Sequence, residues 1–253
     1  MREMKLVPSG DCGICVEFGN EISEAVYQKV AAMSALLEQA NLEGVIEWIP
    51  TYRSLTVCYD PLKTDYEALR FELWNLVDQA EKPKDSKRVV LEIPVCYGGE
   101  FGPDLSYVAA HSGLTQEQVI EVHSHPEYLI YMLGFTPGFP YLGGMDKRIA
   151  TPRLTEPRVR IPGGSVGIAG EQTGLYPIDS PGGWQLIGRT PLRLYDPHRE
   201  VPILLKASQY IKFRPIGEKE FFKIAHQVEQ GTYEIKILPD THKNPIQALD
   251  IGK

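Results

Sequence analysis

Cysteine, basic charge and long apolar runs are all scarce in this 253-residue chain, and each shortage excludes a class of protein. Four cysteines, Cys12, Cys15, Cys58 and Cys96, are too few and too scattered to staple a chain of this length. Cys12 and Cys15 form a CxxC, but no second pair and no paired histidines complete a zinc set. The CxxC lies in GDCGICVEFG, which reads as a strand, where residues three apart face opposite ways. No metal site is therefore expected. Lys and Arg number 26 against 33 Asp and Glu, and a net charge of −7 lacks the basic footprint of a nucleic-acid binder. No stretch approaches the roughly 20 apolar residues that cross a bilayer, and the amino terminus MREMKLVPSGDCG has no apolar signal core. A cytoplasmic protein without nucleic-acid or membrane partners is the expectation. Nor is there a GxxxxGK[ST]: GGSVGIAG lacks the lysine and the following helix of a phosphate-cradling loop.

What the chain does have is concentrated in residues 134–191, which hold 20 of its 43 glycines and prolines. Glycine permits positive φ and close backbone approach, and proline fixes φ, so this stretch must be turns between short strands. Phe135, Phe139, Tyr141, Tyr176 and Trp184 set it apart from a solvated linker, and function should be sought there. Six lysines and arginines against four acids give the segment a local charge of +2, which suits a small carboxylate or phosphate.

Two blocks flank a charged, apolar-free linker at residues 81–88, EKPKDSKR. In the first, the strands KLVP and CVEFG precede a helical stripe over residues 22–40. Strands VIEWIP and SLTVCYD precede a second helix that opens at Thr64, with Thr64 and Glu67 as a capping box. The resulting ββα, ββα order predicts a small sheet with helices on one face. The second block starts with VVLEIPVCY, has a helix from Thr115 capped by Gln118, and is given a further helical turn or two over PEYLIYML, ended by Gly134. Short strands and turns follow, then a terminal helix in EKEFFKIAHQVEQG and an extended TYEIKIL. The fold class expected is an α+β N-terminal domain (1–84) followed by a mainly β domain (85–239), a closed barrel or a sandwich with a helix or two, and a tail (240–253).

The runs GFTPGFPYLGG and TPRLTEPRVRIPGGSVGIAGEQTGLYPIDSPGGWQLIGRTP, with the opening GDCGICVEFG and the central YRSLTVCYDP, resemble the KipI family. The same family is known as PxpB, the B subunit of 5-oxoprolinase, and as allophanate hydrolase subunit 1. The resemblance covers nearly the whole chain, with IPGG where many members have VPAG and a tail after Pro239 that does not align. It implies a cyclophilin-like barrel for the second domain. It also implies a component of an enzyme that opens 5-oxo-L-proline to L-glutamate with ATP as co-substrate. The partners implied are a KipA (allophanate hydrolase subunit 2) type protein and an A subunit of the LamB/YcsF type. The alternative it carries is an inhibitor that binds a sporulation histidine kinase and blocks its autophosphorylation; the enzyme role is favoured.

Candidate residues follow from the chemistry of a small cyclic acid. Arg158 and Arg160, two apart in PRVRIP, would project from one face of a strand toward a carboxylate. Gln172 and Tyr176 offer an amide and a phenol, Trp184 an apolar wall, and Arg189 a third anion contact. His123, with His125 in EVHSHPEY, is the candidate for proton transfer. Phe135, Phe139 and Tyr141 would form an aromatic groove for a partner protein. Ser165 stands in a GxSxG with Asp179 and His198 following, but the glycines and proline after it leave no helix for a nucleophile elbow.

Overall fold

The structure is a computed structural model that describes residues 4–80 and 88–239. Residues 81–87 of the linker and the tail at 240–253 lie outside the described residues. The chain divides into two compact units, Met1–Lys87 and Arg88–Lys253.

The first unit contains β1 (Lys5–Pro8), β2 (Gly13–Glu17), α1 (Glu24–Ala40), β3 (Val45–Pro50), β4 (Ser54–Tyr59) and α2 (Tyr66–Ala80). Its strands form one antiparallel sheet in the order β1-β2-β4-β3. The two-residue alternation decides which face is inside: Ile14 and Val16 of β2 and Leu55, Val57 and Tyr59 of β4 are buried. Val26, Val30, Met33 and Leu37 of α1 and Leu69, Leu73 and Val77 of α2 supply the helical stripes of this core. The capping box expected at Thr64 does not form. The Thr64 N–H is held by the Asp60 carbonyl at 3.1 Å, so the helix begins later and Asp65 caps it, accepting from the Ala68 N–H at 2.9 Å. All four cysteines are free.

The second unit runs β5 (Val90–Tyr97), α3 (Leu105–Ser112), α4 (Gln116–Ser124), β6 (Tyr128–Leu133), β7 (Pro140–Gly143), a 3₁₀ turn (Lys147–Ile149), β8 (Arg158–Ile161), β9 (Ser165–Ala169), β10 (Gln172–Leu175), β11 (Ser180–Gly182), β12 (Gln185–Arg189), β13 (Tyr210–Ile216), α5 (Glu218–Glu229) and β14 (Ile237–Leu238). Seven strands pair in the order β10-β9-β12-β5-β13-β6-β7, and β14 adds to β5. Because β7 comes up against β10, this mixed sheet nearly closes into a barrel around Ile93, Val95, Ile130, Ile168, Ile187 and Phe213. β8 and β11 form a separate short ribbon.

Two elements depart from the sequence pattern. PEYLIYML is a strand rather than helical turns, and β6 hydrogen-bonds to the β13 edge, with the Ile130 N–H donating to Gln209 O at 2.8 Å. Residues 128–131 are all buried, so the period-two signal that marks a half-exposed strand is missing. Helix α3 has no counterpart in the sequence-based reading. Asp104 stands at its N-cap position, but its side chain makes no capping bond there and is committed elsewhere.

Candidate ligand pocket

The glycine- and proline-rich segment folds into one wall of the barrel and encloses a hollow of about 230 Å³. Phe139, 5% exposed, is its floor. Tyr141, Tyr176 and Trp184 each stand edge-on to the Phe139 ring, with centroids 5.5, 5.8 and 5.9 Å away. Such edge-to-face packing holds the walls rigid, as aromatic quadrupoles favour it over stacking. Phe135 overhangs the rim, 74% exposed, with its ring 5.9 Å from that of Phe139. Its backbone takes φ 65°, which a bulky side chain adopts only when the surroundings force it. The force is local: the Gly134 N–H donates to Phe139 O at 3.1 Å and the Thr136 N–H to Gly134 O at 2.8 Å.

Polar groups enter this aromatic cup at few points. Gln172 reaches it from β10, and Arg153 from the segment after the 3₁₀ turn. The Arg153 guanidinium lies 5.8 Å from the Trp184 ring centre and has no carboxylate partner among the described residues. Tyr176 is only 3% exposed, and its hydroxyl is not one of the buried side-chain polar atoms left without a partner among the described residues. That oxygen sits against Gly182 of the lining, where an added Cβ would lie 2.5 Å from it. Burial raises the Tyr176 pKa above its ordinary value while Arg153 and Arg158 pull it down, so the group is a neutral phenol, a donor, at neutral pH.

Residues expected to bind substrate (Gln172, Tyr176, Trp184) and residues expected to bind a partner (Phe135, Phe139, Tyr141) therefore line one hollow. The arginines expected there do not. Arg158 is committed to Asp104, with Nη2 to Oδ1 at 2.7 Å, and Nη1 donates to the Trp184 carbonyl at 3.2 Å. Arg160 is paired with Asp179, Nε to Oδ2 at 2.8 Å. Each already holds a carboxylate. Arg189 donates to the Gly163 carbonyl at 3.1 Å and lies outside the lining. The two ion pairs should differ in weight. Asp104 also accepts from the Leu186 N–H at 2.6 Å and is 13% exposed, so Asp104→Ala is expected to lower stability by about 2 kcal/mol. Arg160→Ala, at 78% exposure, should change it by less than about 0.5 kcal/mol. Urea midpoints of the two variants check this, and equal midpoints would contradict it.

His123 is fully buried in the barrel core, its ring stacked 4.6 Å from that of Phe213. Thr173 fixes its tautomer. The Thr173 hydroxyl donates to Gly167 O at 3.1 Å, so it accepts from His123 Nε2–H at 2.8 Å. Nδ1 is then bare and accepts the Tyr97 hydroxyl at 2.8 Å. Desolvation lowers the imidazole pKa from 6.5 to about 3, which keeps it neutral and unfit to shuttle protons at neutral pH. Its structural consequence reaches the pocket, because Thr173 is the neighbour of Gln172 in β10.

Residues 4–205 match the family described as "Carboxyltransferase domain, subdomain C and D". The chain is 48% identical over 222 residues to the B subunit of 5-oxoprolinase from Bacillus subtilis, covering 84% of itself and 92% of that protein. The chain belongs to this carboxyltransferase and 5-oxoprolinase B-subunit family. The crystal structure of "conserved uncharacterized protein PH0987" from Pyrococcus horikoshii is similar at 49% identity and TM-score 0.52, over 86% of this chain and all of that one. The fold extends to the K. lactis urea amidolyase, TM-score 0.75 at 21% identity, where 93% of this chain aligns with 16% of that one.

Within this carboxyltransferase-family barrel the GxSxG run is no nucleophile elbow. Ser165 is 2% exposed and opens β9, with a strand rather than a helix after it. Arg153 counts in the sequence only toward the basic charge of its segment; the following Leu154, whose N–H donates to Gly183 O at 2.7 Å, pins it beside the pocket. That cross-chain bond leaves no sequence signal. His125 lines a separate, larger hollow of about 540 Å³ in which Arg148 is already paired with Asp146. Among the described residues no group of three or more His, Cys, Asp or Glu is placed to hold a metal, and no helix is long and apolar enough to cross a membrane.

Proposed function

We propose that this chain is the B subunit of an ATP-dependent 5-oxoprolinase complex that hydrolyses 5-oxo-L-proline to L-glutamate. The observation that carries the reading is the 48% identity to a 5-oxoprolinase B subunit across 92% of that protein's length. The hollow agrees with it in size: about 230 Å³ falls below the ~300 Å³ lower end of drug-sized sites and suits a single small ring. The aromatic walls would shield a cyclic amide from water on its apolar faces, while donors at the edge would set its orientation.

Nucleotide phosphates do not fit the glycine-rich segment. The N–H groups that a phosphate cradle requires are already given away, Gly164 to Tyr176 O at 2.7 Å, Ser165 to Pro162 O at 3.2 Å and Gly170 to Thr151 O at 2.7 Å. ATP is therefore assigned to the partner proteins, of the KipA (allophanate hydrolase subunit 2) and LamB/YcsF types, in a cytoplasmic assembly. The test is ATP-dependent glutamate release from 5-oxoproline by the chain with both partners, each component omitted in turn. Omitting this chain should abolish release; undiminished release without it would sink the reading.

A further inference from the structure

Charge and exposed apolar surface are shared unevenly between the two units. Residues 4–80 carry five Lys and Arg against twelve Asp and Glu, a net charge of −7, while the rest of the chain balances at 21 against 21. These residues are about a third of those described, yet they hold six of the twelve exposed large apolar side chains. Two of the six, Phe71 and Trp74, stand on α2. Leu69, Leu73, Val77 and Ala80 of this helix are buried, and at 3.6 residues per turn Phe71 falls near the middle of the opposite, solvent side, 67% exposed. Trp74 lies at the margin of that side, 39% exposed. Glu67, Phe71, Trp74 and Asp78 are spaced four, three and four residues apart, so they make one stripe about 16 Å long with an acid at each end. Single exposed apolar residues are ordinary on a surface. Two aromatics in a row at heptad spacing, bounded by acids, are the seam with which one helix packs against another.

We propose that the outer face of α2 docks a partner subunit, through an amphipathic helix of that partner with apolar side chains at its centre and Lys or Arg toward its ends. Charge selects the occupant. An acidic helix would approach a unit of net −7 and meet like charges at both ends of the seam. A second copy of the chain fails on the same ground, because a two-fold contact of α2 with itself would set Glu67 against Asp78. Arg70 reaches Glu67 at 3.1 Å, but both side chains are exposed, and so weak a pair yields readily to a cation from the partner. The proposal takes from the oxoprolinase reading only that partner subunits exist.

The probes are the two partner proteins assigned above, each titrated calorimetrically against the full chain. At least one is expected to bind, and to bind more weakly as salt rises to about 0.5 M, since screening removes the charge attraction. Phe71→Ala combined with Trp74→Ala is expected to weaken that binding about 10- to 100-fold, the loss typical of aromatic anchors at an interface. Glu67→Lys combined with Asp78→Lys should weaken it about 10-fold at low salt and by less at high salt. All four positions lie on the solvent side of α2, so urea midpoints should move little. Phe222→Ala removes a comparably exposed aromatic, 57%, from α5 and should leave binding unchanged. Unaltered binding in the α2 variants, an equal loss in Phe222→Ala, no binding of either protein by the unaltered chain, or self-association of the chain through α2 would each overturn the proposal. A complex active on 5-oxoproline whose partners hold the Phe71 and Trp74 variant as tightly as before refutes the docking face and leaves the oxoprolinase role intact. A complete set of proteins inactive on 5-oxoproline, with binding still lost on changing Phe71 and Trp74, refutes the role and supports the face.

Discussion

Gly102→Ala is expected to destabilise the second unit by about 3 kcal/mol or more, at the upper end of overpacking effects. A Cβ on this residue would overlap the Ile187 carbonyl and lie 2.7 Å from the Gly188 nitrogen, so the obstacle is backbone rather than a side chain that can swing aside. Neither side can yield. The loop around Gly102 is laced to β12 by the Gly98 N–H to Ile187 O at 3.1 Å and the Asp104 N–H to Leu186 O at 2.9 Å. β12 itself is paired on both edges, with β9 and with β5. Any displacement is passed to Trp184, the residue before β12, so pocket binding should weaken along with stability. Urea unfolding monitored by tryptophan fluorescence measures the first effect, and a midpoint equal to that of the unaltered chain would refute the argument.

Acid should unfold the second unit through His123. The imidazole is neutral in the fold, with its pKa lowered by burial to about 3, and the unfolded chain takes up the proton near 6.5. A depressed folded pKa means that full stability is present above pH 6.5 and is lost as pH falls toward 3, where the folded group finally protonates too. Linkage sets the slope at about 1.4 kcal/mol per pH unit within that window, a large share of a typical domain's stability. His123→Gln removes the titrating group while keeping an amide to donate and a carbonyl to accept. Comparing urea midpoints at pH 7.5 and 5.0 should show a smaller drop in His123→Gln than in the unaltered chain. Identical drops, or an imidazole that titrates near 6.5 in the folded protein by NMR, would show that the ring is not sealed as described.

Much of the architecture was readable because half-buried elements announce their period. β4 alternates Leu55, Val57 and Tyr59 with Ser54, Thr56 and Cys58, and α1 repeats Val26, Val30, Met33 and Leu37, so both stand out in the bare sequence. β6 did not, since burial on both sides erases the alternation, and α3 did not, since Asp104 spends its carboxylate on Arg158 and Leu186 instead of a cap. The pocket was legible in its composition but not in its partition. Aromatics assigned to two different surfaces converge on one. The choice among arginines was hidden for a related reason: Asp104 lies 54 residues before Arg158, and such a distance carries no local pattern that would reveal the pair. A reader of the sequence sees positive charge in the right segment and has no means of telling which guanidinium is already occupied.

The parallel register of β5 and β13, Val90 opposite Tyr210 through Cys96 opposite Ile216, has a consequence for how this protein is made. A ribosome must deliver roughly 120 further residues after β5 before its parallel neighbour exists, and closing so long a loop is slow because its entropy is spent before the contacts form. The ββα, ββα unit is complete by Ala80 and depends on nothing downstream for its sheet. It can therefore fold on the emerging chain while β5, apolar and nearly buried along its whole length in the finished protein, waits with open edges. The barrel half is thus the part that calls for chaperone protection during synthesis, and truncations ending before residue 210 should aggregate where the first unit alone stays in solution.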